Sequence, residues 1–204
     1  MEHPPGDFAP FLAASAVIDW RTPAVEEKAK ALAGGLEGDP VAIARACFEF
    51  VRDEIDHSAD HGRDPVTCRA SEVLHHGHGF CYAKSHLLAA LLRANGIPAG
   101  LCYQRLTIDD DKPPYSLHGL NAVFLRDFGW YRIDPRGNRA DVDARFQPPV
   151  ERLAFEIRLP GEADLPGIHA EPLTIVTEVL ETATHWREVL ENLPDLEPGS
   201  RTRE

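Results

Sequence analysis

Three residues follow one another along the chain in the order that cysteine-dependent acyl transfer would need. Cys81 comes directly after Gly79-Phe80 and opens an apolar run with helical spacing. A side chain at that position lies beside backbone N–H groups that have no partner within the helix, and beside the positive end of the helix dipole. Both favour thiolate over thiol, and the thiolate is the nucleophile. A cysteine at a helix start is by itself more often a small buried hydrophobe, so the case depends on what comes after it. His118 stands just before the β-type segment Leu120 to Leu125, and Asp134 ends the segment Trp130 to Ile133. The turn signal Asp127-Phe128-Gly129 joins these segments into a hairpin. His118 faces Asp134 directly when the turn is centred near Arg126, a residue or two from that signal and within the slack of a bulged loop. An imidazole oriented by a carboxylate and facing a helix-tip thiolate is a nucleophile, base and orienter in one constellation. A second donor for the oxyanion, beside the backbone N–H of Cys81, stays open among Tyr103, Gln104 and the backbone around His78.

These residues need elements to hold them. Phe11 to Trp20 reads as an extended or loosely ordered lead-in. Thr22-Pro23 then opens a helix with Val25, Ala29 and Leu32 on one side, and Gly34-Gly35 stops it. Asp39-Pro40 opens a second helix, whose core face is expected to carry Ile43, Cys47, Phe50, Val51 and Ile55. From His57 to Gly79 the pattern breaks into a polar loop with a short helical turn at Ser71 to Leu74. The strongest helix runs from Cys81 to Ala94, with Leu87, Leu88, Leu91 and Leu92, and closes at Asn95-Gly96 with Pro98 beyond. Short strands are expected at Leu101 to Ile108, Leu120 to Leu125, Trp130 to Ile133 and Leu153 to Leu159, forming an antiparallel sheet. Asp109-Asp110-Asp111 reads as a solvated turn, and Leu173 to Leu193 as one last helix. Helices first and strands afterwards, without βαβ alternation, indicate an α+β fold. Residues 1–193 read as one domain, and 194–204 as a disordered tail.

The blocks Ala70-Ser71-Glu72-Val73-Leu74, Gly79-Phe80-Cys81, Leu91-Leu92-Arg93-Ala94-Asn95-Gly96-Ile97-Pro98-Ala99, His118 and Trp130-Tyr131-Arg132-Ile133-Asp134-Pro135 together resemble the core of the transglutaminase-like superfamily, over roughly Pro40 to Gly137. The resemblance implies a papain-like α+β fold with helices packed on an antiparallel sheet. It implies Cys81 as nucleophile, His118 as general base and acid, and Asp134 as the orienting carboxylate, with no metal or organic cofactor. One departure is local: many members carry a tryptophan two residues after the histidine, where this chain has His118-Gly119-Leu120. The expected reaction is hydrolysis of an amide or isopeptide bond in a peptide or protein. The alternatives are a protein-glutamine transglutaminase, a non-catalytic interaction module and a metal-binding protein.

Composition narrows the partners. With 33 acidic against 21 basic side chains among 204 residues, a formal charge of −12 repels phosphate backbones, and no basic stripe interleaved with aromatics occurs. Nucleic acid is therefore not an expected partner. No apolar run approaches the ~20 residues that cross a bilayer, and Met1-Glu2-His3-Pro4-Pro5 has no cationic region before an apolar one. The expectation is a soluble, cytoplasmic protein without a membrane partner. Cys47, Cys68, Cys81 and Cys102 never form a CxxC pair and read as separate thiols in a reducing compartment, Cys47 and Cys102 being packing residues. His57, His61, His75, His76 and His78, with Asp53, Asp56, Asp60 and Cys68 nearby, carry the metal alternative, but their scatter matches no familiar zinc spacing. His78, so near Cys81, is a candidate for the cleft wall.

Overall fold

The computed structural model describes residues 7–109 and 112–199. The N-terminal pentapeptide read above, the Asp110-Asp111 part of the acidic turn and the last five residues of the tail lie outside the described residues.

Seven helices and six strands occur among the described residues. Helix α1 (Pro23–Ala33) is followed by α2 (Pro40–Glu54), where the Asp39 carboxylate accepts from the backbone N–H of Ala42 and caps the helix start. The buried stripe of α2 is Ala44, Cys47, Phe48 and Val51, continued by Ile55, while the expected Ile43 and Phe50 are only half buried. Phe48 takes the inner position because it meets Phe146 at 6.0 Å between ring centroids, a partner about a hundred residues away that no local spacing could announce.

The stretch from His57 to Gly79 has more structure than the expected loop. Strand β1 (Asp56–His57) pairs in parallel with β2 (His78–Gly79), and between them lie α3 (Ser58–His61) and α4 (Ala70–His76). Helix α4 is longer than a single turn because its start is capped twice. Glu72 accepts from the N–H groups of Cys68 and Arg69, and Asp19, 52 residues upstream, accepts from the N–H and hydroxyl of Ser71.

Helix α5 (Cys81–Ala94) has the bounds read from the sequence, and every residue from Cys81 to Arg93 is buried. It packs against α1, α2 and α4 and against the strands β3 (Ala99–Asp109) and β4 (Lys112–Leu125). A helix buried all round can only be central, and most of its polar side chains find partners inside, His86 Nε2 being left without one. Ser85 donates to the Cys81 carbonyl at 2.8 Å, and Arg93 donates to the carbonyls of Ala99, Ala13 and Ala170.

The sheet is antiparallel in the order β5-β4-β3-β6, with β5 at Gly129–Ile133 and β6 at Ala163–Asp164. The fold is therefore the expected α+β arrangement of helices around a buried helix on an antiparallel sheet. Three local expectations are corrected. Leu153 to Leu159 is not a strand, because both sheet edges are already occupied. Along β3, β6 and the Leu101–His169 bridge take the ladder, and at β5 the Glu151 carboxylate accepts from the Arg132 N–H. The last helix is two, α6 (Thr174–Thr182) and α7 (Trp186–Glu191). The break is held by Glu188 accepting from the Thr184 N–H at 2.7 Å and by Asp64, across the fold, accepting from the Trp186 N–H at 2.8 Å. The tail expected to be loose from Pro194 is docked at its start. The Pro194 carbonyl accepts from the Leu117 N–H, Asp195 pairs with Arg105 at 2.6 Å, and Leu196 packs on the core. No helix among the described residues is long and apolar enough to cross a membrane.

Candidate active site

Helix α5 presents Cys81 at its first turn. Its N-cap, Phe80, offers no side-chain acceptor, so the first N–H groups of the helix stay open at the sulfur's end. Strand β4 is tied to that end by backbone and side-chain contacts. The Tyr82 hydroxyl donates to the Leu117 carbonyl, the Gly119 N–H points at Cys81 Sγ at 3.5 Å, and Asn121 Nδ2 donates to the Ser85 carbonyl at 2.9 Å. The approach is so close that a Cβ at Gly119 would lie 2.9 Å from the Tyr82 ring and 3.1 Å from its Cα. Glycine after the histidine is thus a packing requirement. Leu120, where many family members carry tryptophan, is fully buried in a small cluster with Cys102 and Ala122.

His118 lies within β4 rather than before it, since the strand begins at Lys112. The hairpin pairs Leu125 with Gly129 and Asn121 with Ile133. Continuing that register sets Asp134 beside Leu120, two residues from His118, so the two meet diagonally instead of in direct opposition. The imidazole spans the offset: His118 Nε2 is 2.7 Å from Asp134 Oδ2. Its other ring nitrogen, Nδ1, is left free by Asp134, and the nearby Cys81 sulfur favours the charged form of the ring.

Asp134 has no exposure to solvent, and each of its oxygens is used. Oδ1 accepts from the Arg136 N–H at 3.1 Å, and Oδ2 accepts from the Ala154 N–H at 3.0 Å as well as from His118. Burial would raise this carboxyl, but the His118 charge and these hydrogen bonds outweigh it and hold it below the ordinary carboxylate range. Burial likewise works against a charged His118. The neighbouring Asp134 carboxylate and the Cys81 sulfur overcome it, and the imidazole is pushed up to about 10. Phe155 covers the ring edge-on, with centroids 5.0 Å apart, and shields the pair from water.

Cys81 and His118 line an open cleft of about 1230 Å³, with Asp134 buried behind His118. His57 also lines this cleft, which its loop setting in the sequence did not disclose; the β1–β2 pairing sets it against Gly79, and its ring packs on Phe80 at 5.7 Å. Burial, then the nearby Arg136, bring His57 down to about 3, so it is neutral, and its Nδ1 has no hydrogen-bond partner. His78, the residue expected on the cleft wall, is instead buried behind it, with Nδ1 at 3.0 Å from the Ser58 hydroxyl. Of the candidate oxyanion donors, Tyr103 lies outside the cleft lining, and its hydroxyl accepts from the Leu173 N–H. Gln104 lines the cleft, but its amide nitrogen is already given to Asp164. Among the described residues no group of three or more His, Cys, Asp or Glu side chains gathers as a metal site. The other three thiols are free and buried, and burial pushes Cys47, Cys68 and Cys102 up to about 12.

The profile of the transglutaminase-like superfamily matches residues 27–135, a stretch that contains Cys81, His118 and Asp134. A comparison with curated protein sequences finds no match. Among solved structures, the chain is similar to a candidate cysteine protease from Cytophaga hutchinsonii, at 21% identity and a TM-score of 0.51, over 64% of this chain and 42% of that one. It is also similar to the periplasmic domain of TgpA from Pseudomonas aeruginosa, at 19% identity and a TM-score of 0.45, over 61% of this chain and 45% of that one. The chain thus matches less than half the length of each of these structures. A profile match over more than half of the chain, on a fold in which a buried helix opens with a cysteine against an antiparallel sheet, places it: the chain belongs to the transglutaminase-like superfamily.

Proposed function

We propose that the protein hydrolyses an amide or isopeptide bond through a thioester on Cys81. The observation that carries this reading is that Cys81 and His118 line one open cleft together, with the His118 ring anchored behind it on Asp134. The Cys81 sulfur attacks the substrate carbonyl, and the C–N bond breaks as His118 gives its proton to the departing amine. Water then attacks the thioester as His118 takes a proton from it, the acid leaves, and the Cys81 sulfur and the charged imidazole are restored. Asp134 keeps the ring in one orientation and stabilises its charged form.

Water is favoured over a lysine amine as acceptor because the carboxylates of the cleft are already engaged. Glu151 and Asp164 pair with Arg132, Asp141 with Arg139 and Glu156 with Arg158, while Glu162 accepts from the backbone of Arg158 and Leu159. An incoming ammonium group would meet few free anions. A reducing compartment would keep the Cys81 thiol free for this chemistry.

The test is iodoacetamide labelling with peptide mapping, followed by trapping of an acyl adduct from a peptide-amide library. Cys81 is expected to label near neutral pH at least tenfold faster than Cys47, Cys68 or Cys102, and to slow in His118→Ala. Equally slow labelling of all four thiols would overturn the assignment of the nucleophile. If the trapped acyl group passes to added amines in preference to water, the protein is a transferase.

A further inference from the structure

Five large apolar side chains are exposed among the described residues, and four of them, Ile108, Val150, Ile157 and Leu190, line the cleft that holds Cys81. Their exposures run from 38% for Ile157 to 53% for Val150. They come from three separate parts of the chain: the end of β3, the strap after residue 150, and α7. Soluble proteins rarely gather exposed apolar residues on one face unless the face receives something. Between them the wall continues with Phe80 and Phe155, close to the reacting groups.

Most charged groups on the polar part of the same wall are already paired, Arg152 being the exception among its arginines. Arg132 is held by Glu151 and Asp164, Arg136 by Asp60 and Arg139 by Asp141, so each of these three cations already has its counter-charge in place. His57 adds no charge, being kept neutral by burial. A charged substrate group entering here would lose water and find its counter-charges engaged, whereas an apolar group would cover surface that now faces water. Size points the same way: about 1230 Å³ exceeds the ~300–1,000 Å³ typical of pockets for a drug-sized ligand.

We propose, resting on the acyl-transfer reading above, that the cleft takes an extended polypeptide segment with bulky apolar side chains flanking the reacting carbonyl. It does not take a free amino-acid amide or a highly charged peptide. Val150, Ile157, Ile108 and Leu190 are the specificity-determining residues.

The experiment uses the Cys81→Ala protein, which can bind but not react, titrated by fluorescence polarisation with labelled hexapeptide amides. One peptide carries Leu and Phe on both sides of a central Gln, and matched peptides carry Ser, Asp or Lys at the flanking positions. The apolar peptide is expected to bind at least tenfold more tightly than each of the others. Val150→Asp and Ile157→Asp, at exposed positions and with unchanged thermal midpoints, are each expected to weaken it severalfold. Equal binding of all four peptides, tighter binding of a charged one, or indifference to both substitutions overturns the proposal. The same peptides are then offered to the unsubstituted enzyme and Cys81 is examined by mass spectrometry. Selective binding without an adduct overturns the acyl-transfer reading and leaves the apolar site standing. Adducts formed equally from all peptides overturn the apolar site and leave the reaction standing.

Discussion

His118 Nε2 lies 2.7 Å from Asp134 Oδ2 although the two residues are offset by two positions in the β4–β5 ladder. The same carboxylate oxygen also accepts from the Ala154 N–H. The carboxylate is therefore fixed by the irregular strap as well as by the hairpin, and the imidazole is aimed from a rigid anchor.

Asp134→Asn should keep that geometry and lose the charge. Turnover is expected to fall on the order of 10⁴, as when an orienting carboxylate is neutralised in comparable triads. Steady-state kinetics on a trapped substrate class checks the rate, and an imidazole NMR titration should show His118 losing its proton at far lower pH. An unchanged titration would mean that Asp134 does not stabilise the charged ring.

The alkaline limb of activity should lie high. A free imidazole loses its proton near ~6.5, but His118 holds it up to about 10, and in the proposed reaction the charged ring is the acid that protonates the leaving amine. Acylation is expected to persist above neutrality and to decline as pH rises through about 10. The associated stability has the same direction. Because the folded state binds this proton more tightly than the unfolded chain, the contribution is complete below ~6.5 and disappears as pH rises through His118's folded value. Rates of acyl-adduct formation against pH decide it; a limb near the free-imidazole value would separate His118 from the acid step.

Lys84 should oppose that trend. It is fully buried in α5 and donates to the Ile55 carbonyl; burial, then Arg136, bring it down to about 7. The unfolded chain keeps the same proton to ~10.4, so above about 7 the unfolded state binds more protons and this group's contribution to stability rises with pH. In Lys84→Met that compensation is gone, and the urea midpoint is expected to fall more steeply above neutral pH than in the unsubstituted protein. Parallel curves would show that Lys84 is charged in the fold.

Gly119→Ala should damage both fold and site. The added methyl would press on Tyr82 at the start of α5, costing about 1–3 kcal/mol by overpacking and pushing His118 away from Cys81. Denaturant unfolding measures the first effect and Cys81 labelling the second. A normal labelling rate would mean that β4 can shift without moving the imidazole.

Much of this protein is written locally. The apolar run from Cys81 to Ala94 ends at Asn95-Gly96 because glycine accepts the left-handed turn, with φ of 71° at Gly96, and the helix has those bounds. Cys81, His118 and Asp134 can be chosen from residue type, order and the hairpin signal alone. What lies between and around them was decided by distant parts of the chain. The inward turn of Phe48 needed Phe146, the length of α4 needed Asp19, and the break before α7 needed Asp64. The strand expected at Leu153 to Leu159 became a strap because the sheet edges were already taken, and that strap supplies the Ala154 N–H to Asp134 and the cover of Phe155 over His118. Likewise His57, read as one histidine of a polar loop, enters the cleft through pairing with Gly79, 22 residues later. Local spacing encodes a helix or a hairpin because their contacts are near in sequence; caps, sheet edges and cleft walls are made by contacts between remote segments, which only the packed chain brings together.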